Sequence, residues 1–191
     1  MLISKNHLKA RYTASTDRTR PVLNAIKITV EKDEVVAVAT DGYILSEIRE
    51  SMQDIEDFPN IDGSTDAKET LLQSSTADAV AKAIKKHKHL PILSYAHVGS
   101  DGVTVTDLEH TQNFNDHPIE GSFPDYKQLI PNTDEAKVVV TVNPKLLVQL
   151  LKIFKDEQSI TLEVHDKLKP VVFRNEGSEH DIMGVLMPLK S

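Results

Sequence analysis

Ser122-Phe123-Pro124-Asp125-Tyr126 repeats the pattern of Asp57-Phe58-Pro59-Asn60-Ile61, and the two Phe stand 65 positions apart. A period of that length signals a supersecondary unit used more than once. Thr40-Asp41, Thr106-Asp107 and His165-Asp166 each close a β-alternating run, and a helical stretch precedes every run. The chain therefore reads as three copies of one helix-plus-strands unit, at about residues 1–56, 69–120 and 136–191. The fold class is α+β, made of repeated helix-plus-antiparallel-strand units.

Caps and periods place the helices. Asn143-Pro144 opens one, with Asn as N-cap and Pro at the first helical position, where its missing N–H costs nothing. Leu147, Leu150, Leu151 and Phe154 then make an i, i+3, i+4, i+7 stripe. Ser75 or Thr76 is expected to cap the second helix, with Val80, Ala83, Ile84 and His87 on its apolar face and Lys82, Lys85, Lys86 and His89 opposite. The first helix is expected from Ser4, with Leu8 and Tyr12 pointing inward. Ile26, Ile28 and Val30 alternate with Lys27 and Thr29, and the turn Glu31-Lys32-Asp33-Glu34 leads to Val36-Ala37-Val38, a hairpin with one dry face. Val103 to Thr106 and Ile160 to Val164 repeat the period of two, another strand leads into Asn143, and residues 59–70 read as a linker.

With 39% hydrophobic and 27% charged residues among 191, the chain can bury a core without staples. It has no Cys, which excludes a disulfide scaffold, a thiolate zinc site and a cysteine nucleophile, and suits a reducing compartment. Apolar runs such as Val138 to Val142 are too short to span a bilayer, and residues 1–20 lack the apolar stretch of a signal peptide. A cytoplasmic protein with no membrane partner is the expectation. The net charge of −7 speaks against nucleic acid, but its distribution reverses that reading. The segments 5–20, 76–90 and 143–155 hold twelve basic residues against only Asp17 and Asp78. Lys5, Lys9, Arg11, Arg18, Arg20, Lys82, Lys85, Lys86, Lys145 and Lys152 are the candidates to face DNA, with Lys88 and Lys155 nearby. Such residues neutralise phosphates without reading bases, so the implied ligand is a nucleic-acid backbone bound weakly and in a salt-dependent way.

Arg20-Pro21-Val22-Leu23-Asn24, followed by Val38-Ala39-Thr40-Asp41-Gly42-Tyr43-Ile44-Leu45, resembles the opening of the middle domain of the bacterial DNA polymerase III β subunit family, the sliding clamps. Tyr43-Ile44 departs from the His-Arg usual there. Glu120-Gly121-Ser122-Phe123-Pro124-Asp125-Tyr126 with Leu129-Ile130-Pro131 is similar to the connector between that family's middle and last domains, and Val185-Leu186-Met187-Pro188-Leu189-Lys190 to its C-terminal strand. The resemblance implies a DNA-clamp-like fold. Residues 1–131 correspond to the middle domain, with half-units 1–56 and 69–120 and a connector at 121–131; residues 132–191 correspond to the second half of the last domain. Family members have three domains of two half-units each, whereas this chain has three half-units, with about ten residues between Pro131 and the strand before Asn143 where a further half-unit would stand.

By the same resemblance, basic helices line a central hole around DNA, and a hydrophobic groove takes peptides from polymerases and other clamp clients. Its residues here would be Leu23, Thr40, Gly42, Tyr43, Ile44, Leu45, Pro131, Val171, Val185, Met187, Pro188 and Leu189. Met and Leu adapt to varied ligands, and Pro fixes a wall. Implied partners are double-stranded DNA, a DNA polymerase or other proteins carrying clamp-binding motifs, a clamp loader, and further copies of the chain, four of which would supply the twelve half-units of the family ring. A monomeric mimic that captures such peptides without encircling DNA is the alternative. His87, His89 and His97 lack a carboxylate in register for zinc, and Gly102 sits in a Ser-Asp-Gly turn, not a phosphate loop. Asp41, Asp107 and Asp166 close separate repeats and are not expected to converge for acid–base chemistry. No Ser/His/Asp arrangement stands out, so neither an enzyme nor a cofactor or metal is expected.

Overall fold

A computed structural model describes residues 1–53, 58–59, 67–100, 102–116, 119–175 and 181–189, and divides into two compact units, Met1–Pro124 and Asp125–Ser191. Asp57, Asn60 and Ile61 of the repeated motif, residues 60–66 of the expected linker, Asp101 and Lys190 lie outside the described residues.

In the first unit, β1 (Leu2–Ser4) precedes a 3-10 helix at His7–Thr13, and β2 (Ala25–Glu31), β3 (Glu34–Thr40) and β4 (Leu45–Ser51) follow it. The pattern recurs with β5 (Glu69–Gln73), α1 (Ser74–Ala83), β6 (Tyr95–Gly99), β7 (Gly102–Thr106) and β8 (Thr111–Phe114). The two repeats exchange their first strands. One antiparallel sheet runs β4-β3-β2-β5 and the other β1-β6-β7-β8, so the strand before each helix pairs with the first strand after the other helix. A single core follows from that exchange: Leu8, Ile26, Ile28, Val35 and Ala37 of one repeat pack with Val80, Ile84, Val98 and Val103 of the other.

Several local expectations change. Tyr12 is 72% exposed rather than inward, because the first helix is 3-10. At three residues per turn, positions three apart eclipse and a residue four on rotates away, so His7 and Ala10 are buried instead. Helix α1 starts at Ser74 without a side-chain cap from Gln73; Asp116, arriving from beyond β8, accepts from the Gln73 amide at 2.7 Å and from the Thr76 hydroxyl. It ends at Ala83, so Lys85, Lys86, His87 and His89 lie past the helix and share no helical face. Ile84 is the last apolar anchor, and the polar run Lys85-Lys86-His87-Lys88-His89 offers nothing further to bury. The β2–β3 hairpin is dry on both faces of β3, where Val35 to Thr40 are all buried. On the side away from the core, Val36 lies opposite Thr29 and Arg49, and Val38 opposite Lys27 and Glu47. Arg49 spans that face, bonded to Glu47 at 2.6 Å and to Glu31 at 3.1 Å, and the stems of these long side chains cover the valines.

The second unit holds one repeat. Helix α2 (Pro144–Leu151) runs into a 3-10 turn at Lys152–Phe154, and β9 (Ile160–Glu163), β10 (Val171–Asn175) and β11 (Met183–Leu186) form an antiparallel sheet in the order β11-β10-β9. Asn143 caps α2 as expected, its side chain accepting from the Lys145 amide at 2.9 Å. Phe154, Val171, Phe173 and Leu186 are buried, with Leu147, Leu150 and Leu151 packed against them. Gly184 permits this approach: a Cβ there would stand 2.8 Å from Leu150 Cδ1. Among the described residues, 138–142 join no sheet, so the strand expected before Asn143 does not form there. A run of β-branched residues forms a strand only against a partner edge.

Candidate functional site

The three Asp residues that end the repeated runs are turn builders. Asp41 Oδ1 accepts from the amides of Tyr43 and Ile44 at 2.8 and 2.9 Å, Asp107 Oδ1 from His110 at 2.9 Å, and Asp166 Oδ1 from Leu168 at 3.1 Å. Amide donation from Ile44 and Tyr43 holds the Asp41 carboxyl below the ordinary carboxylate range, and donation from His110 with that of Lys85 does the same for Asp107. Thr40 and Thr106 help in parallel, their hydroxyls accepting the amides of Gly42 and Leu108 at 3.1 Å.

Nine of the ten candidate DNA-facing residues are exposed. Lys5 and Lys9 flank the start of the 3-10 helix, Arg18 and Arg20 lie in the loop before β2, Lys82 is on α1, Lys85 and Lys86 follow it, and Lys145 and Lys152 lie along α2 and its extension. On α1, Lys82 lies opposite the buried Ala77, Val80 and Ile84; on α2, Lys145 and Lys152 lie opposite Leu147, Leu151 and Phe154. Arg11 is the exception. Its side chain is 15% exposed and its guanidinium is spent on Asp78 Oδ1 at 3.2 Å, the Leu8 carbonyl at 2.7 Å and the Tyr12 hydroxyl at 2.9 Å. It ties the 3-10 helix to α1, a role invisible in sequence because its partner is 67 residues away. Asp78 also takes Lys82, one turn on, and these cations hold its carboxyl below the usual range. Lys85 reaches Asp107 at 3.2 Å.

The candidate groove residues divide between the units. In the first, Tyr43 is 95% and Ile44 52% exposed at the β3–β4 turn, Leu23 and Leu45 are half-buried, and Thr40 is buried, its hydroxyl donating to the Ile44 carbonyl at 2.7 Å. Gly42 has φ 99°, a left-handed conformation that suits glycine in this turn. In the second, Val185, Met187 and Leu189 are exposed, as is Pro131, and Pro188 is half-buried. Val171 lies instead in that unit's core: it pairs with the buried Leu186, whereas Val185 pairs with Val172 on the opposite face. Alternation along β10 decides this.

A cleft of about 510 Å³ in the first unit, between the loop before β2 and the start of α1, went unseen in sequence because Thr16, Arg18 and Asn24 meet Gln73, Ser74 and Ser75 only through folding. Among the described residues no group of three or more His, Asp or Glu side chains is placed to hold a metal. His97 is buried on β6 with its ring 5.9 Å from that of Phe58. No helix among the described residues is long and apolar enough to cross a membrane.

No protein-family model matches the chain. The β sliding clamp of Rickettsia bellii (strain RML369-C) is 25% identical over 177 residues, covering 92% of this chain and 41% of the relative; that of Micrococcus luteus is 30% identical over 138 residues, covering 70% and 40%. The chain thus spans about two fifths of the length of these relatives. Among solved structures, the DNA polymerase sliding clamp from Bacillus subtilis matches with a TM-score of 0.73 at 18% identity over 98% of this chain and 48% of that one. The β subunit from the DNA polymerase of Streptococcus pyogenes matches with 0.69 at 16% identity over 100% and 50%. Sequence likeness over 92% and 70% of the chain makes it a relative of the β sliding clamps, and their solved structures share its fold.

Proposed function

We propose that the chain is a sliding-clamp-type processivity factor, a non-catalytic tether that holds duplex DNA without reading its sequence and docks polymerase-type clients through exposed apolar residues. The observation that carries this reading is the recurrence of lysines on the solvent side of repeated helices, Lys82 on α1 and Lys145 with Lys152 along α2, in a chain of net charge −7. Cations gathered on helices in an otherwise acidic protein favour a polyanion at those helices over general stickiness. Tyr43 and Ile44 on one unit, and Met187 and Leu189 on the other, supply apolar surface suited to peptide anchors. Four chains of three half-units would close the twelve of the family ring, with neighbouring chains inverted to keep the alternation.

Retention on circular DNA tests this. The wild type is expected to stay on a nicked circle at low salt and to leave when the circle is linearised. Lys82→Glu, Lys145→Glu and Lys152→Glu together should cut retention at least tenfold while leaving the far-ultraviolet circular dichroism unchanged. A wild type that is never retained, yet binds a client peptide through Met187, would replace this reading with that of the peptide-capturing mimic.

A further inference from the structure

The first unit states a rule that the second leaves unfulfilled. In Met1–Pro124, the first strand after each helix is covered by the other repeat: β2 takes β5 on its edge and β6 takes β1, and the core-facing Ile26, Ile28, Ala96 and Val98 are at most 1% exposed. In Asp125–Ser191 the equivalent strand is β9, which among the described residues pairs with β10 alone. Leu162 lies directly opposite the buried Phe173 and so belongs to the core face, yet it is 53% exposed, and Val164, two residues on, is 42% exposed. The segment before α2, Val138-Val139-Val140-Thr141-Val142, has the composition of a strand and no sheet. Its one backbone hydrogen bond among the described residues is from the Leu189 amide to the Thr141 carbonyl at 2.8 Å. Alternate groups of an extended chain point to opposite sides, which leaves the backbone groups of Val140 and Val142 to the other edge. Helix α2 repeats the mismatch: Leu146 and Ile153, two turns apart, are 49% and 51% exposed on the flank between its sheet side and its lysine side.

Among the described residues these three surfaces are a strand edge that takes no further strand, a strand-like segment outside every sheet and an apolar helix flank, and they are what each repeat of the first unit offers the other. They are also mutually complementary, so a two-fold axis satisfies all of them at once. We infer that Asp125–Ser191 pairs with the same unit of a second copy of this chain: each copy lends residues 138–142 as a fourth strand to the other's β9, and the Leu146–Ile153 flanks of the two α2 helices pack together. The pair rebuilds from two chains the exchanged-strand arrangement that β1 and β5 create within one. It covers Leu162 and Val164, removes an exposed strand edge that would otherwise invite aggregation, and leaves Lys145 and Lys152 in solvent. It deepens the assembly part of the proposed function and requires neither DNA nor a closed ring.

The test is the solution mass of the full chain by light scattering from 1 to 50 μM, together with amide hydrogen exchange of residues 138–142 and β9. An even-numbered oligomer is expected, with both segments protected at high concentration. Leu146→Glu with Ile153→Glu should halve the mass and expose both segments. These side chains are already in solvent in the single chain, so the variant keeps its fold, and unchanged circular dichroism verifies that. As a second probe that spares the helix, Val139→Lys, at a residue 68% exposed, should weaken association at least tenfold. A monomer at 50 μM overturns the inference, as does an oligomer whose mass and exchange ignore both variants. Loss of DNA retention with the pairing intact would sink the clamp reading and leave this one standing.

Discussion

His7 is buried at 2% exposure and fully hydrogen-bonded as a neutral ring. Its Nε2–H donates to the Val35 carbonyl at 3.0 Å and its Nδ1 accepts the Ser4 amide at 3.1 Å. Burial pushes its pKa below the ordinary 6.5, against the opposing pull of Val35 and Glu50. Above pH 6.5 both folded and unfolded chains are neutral there; as the pH falls through that value the unfolded chain takes a proton that the folded one refuses, so stability drops. The expected slope is at most about 1.4 kcal/mol per pH unit, and His7→Gln should flatten it in urea titrations between pH 7 and 5. Leu108 offers the reverse case. It holds φ 77° in an exposed turn, a conformation that disfavours a side chain with a Cβ. Leu108→Gly is expected to raise stability by about 0.5–1 kcal/mol, read as a shift of the denaturation midpoint. For the proposed client surface, Met187→Ala should weaken peptide binding by about 1–3 kcal/mol, measured by calorimetry.

Among the elements, helix α2 and its sheet are held together by a close approach at one point. Gly184 sits under Leu150 and Phe154, and a branched side chain there has nowhere to go. Gly184→Val should cost about 1–3 kcal/mol as overpacking and should act on the second unit alone, with near-neutral effect on amide exchange in β2 and β3. The start of α1 depends on a residue from another element: Asp116 takes the Gln73 amide and the Thr76 hydroxyl where the helix's own residues provide no cap. Sequence pointed to Ser75 or Thr76 because cap preferences are local, and a carboxylate brought in from beyond β8 has no local signal.

The two units differ in how completely they are covered. The first shares one core between two repeats, while the second buries Phe154, Val171, Phe173 and Leu186 under a single helix. Pairing of the second unit with its copy would make its stability depend on mass action. Full-chain thermal scans at 2 and 100 μM should therefore show the transition assigned to Asp125–Ser191 moving upward with concentration, while that of Met1–Pro124 stays fixed. Two transitions that both ignore concentration would contradict the pairing.

Much of the architecture was legible in the order of residues. The repeat period, the Asn143-Pro144 start, the Leu147 to Phe154 stripe and the three closing Asp are local patterns, and local patterns follow from backbone geometry and solvent exposure. Other features depend on which segments meet. Arg11 reads in sequence as one more exposed cation, and folding brings Asp78 beside it; Val171 and Val185 read as one surface, and the β10–β11 register puts them on opposite faces; Val138 to Val142 spell a strand that joins no sheet among the described residues. A side chain's charge and shape are carried by the sequence, but its partner is chosen by folding, because strand register and the exchange of first strands between repeats are set by contacts tens of residues apart.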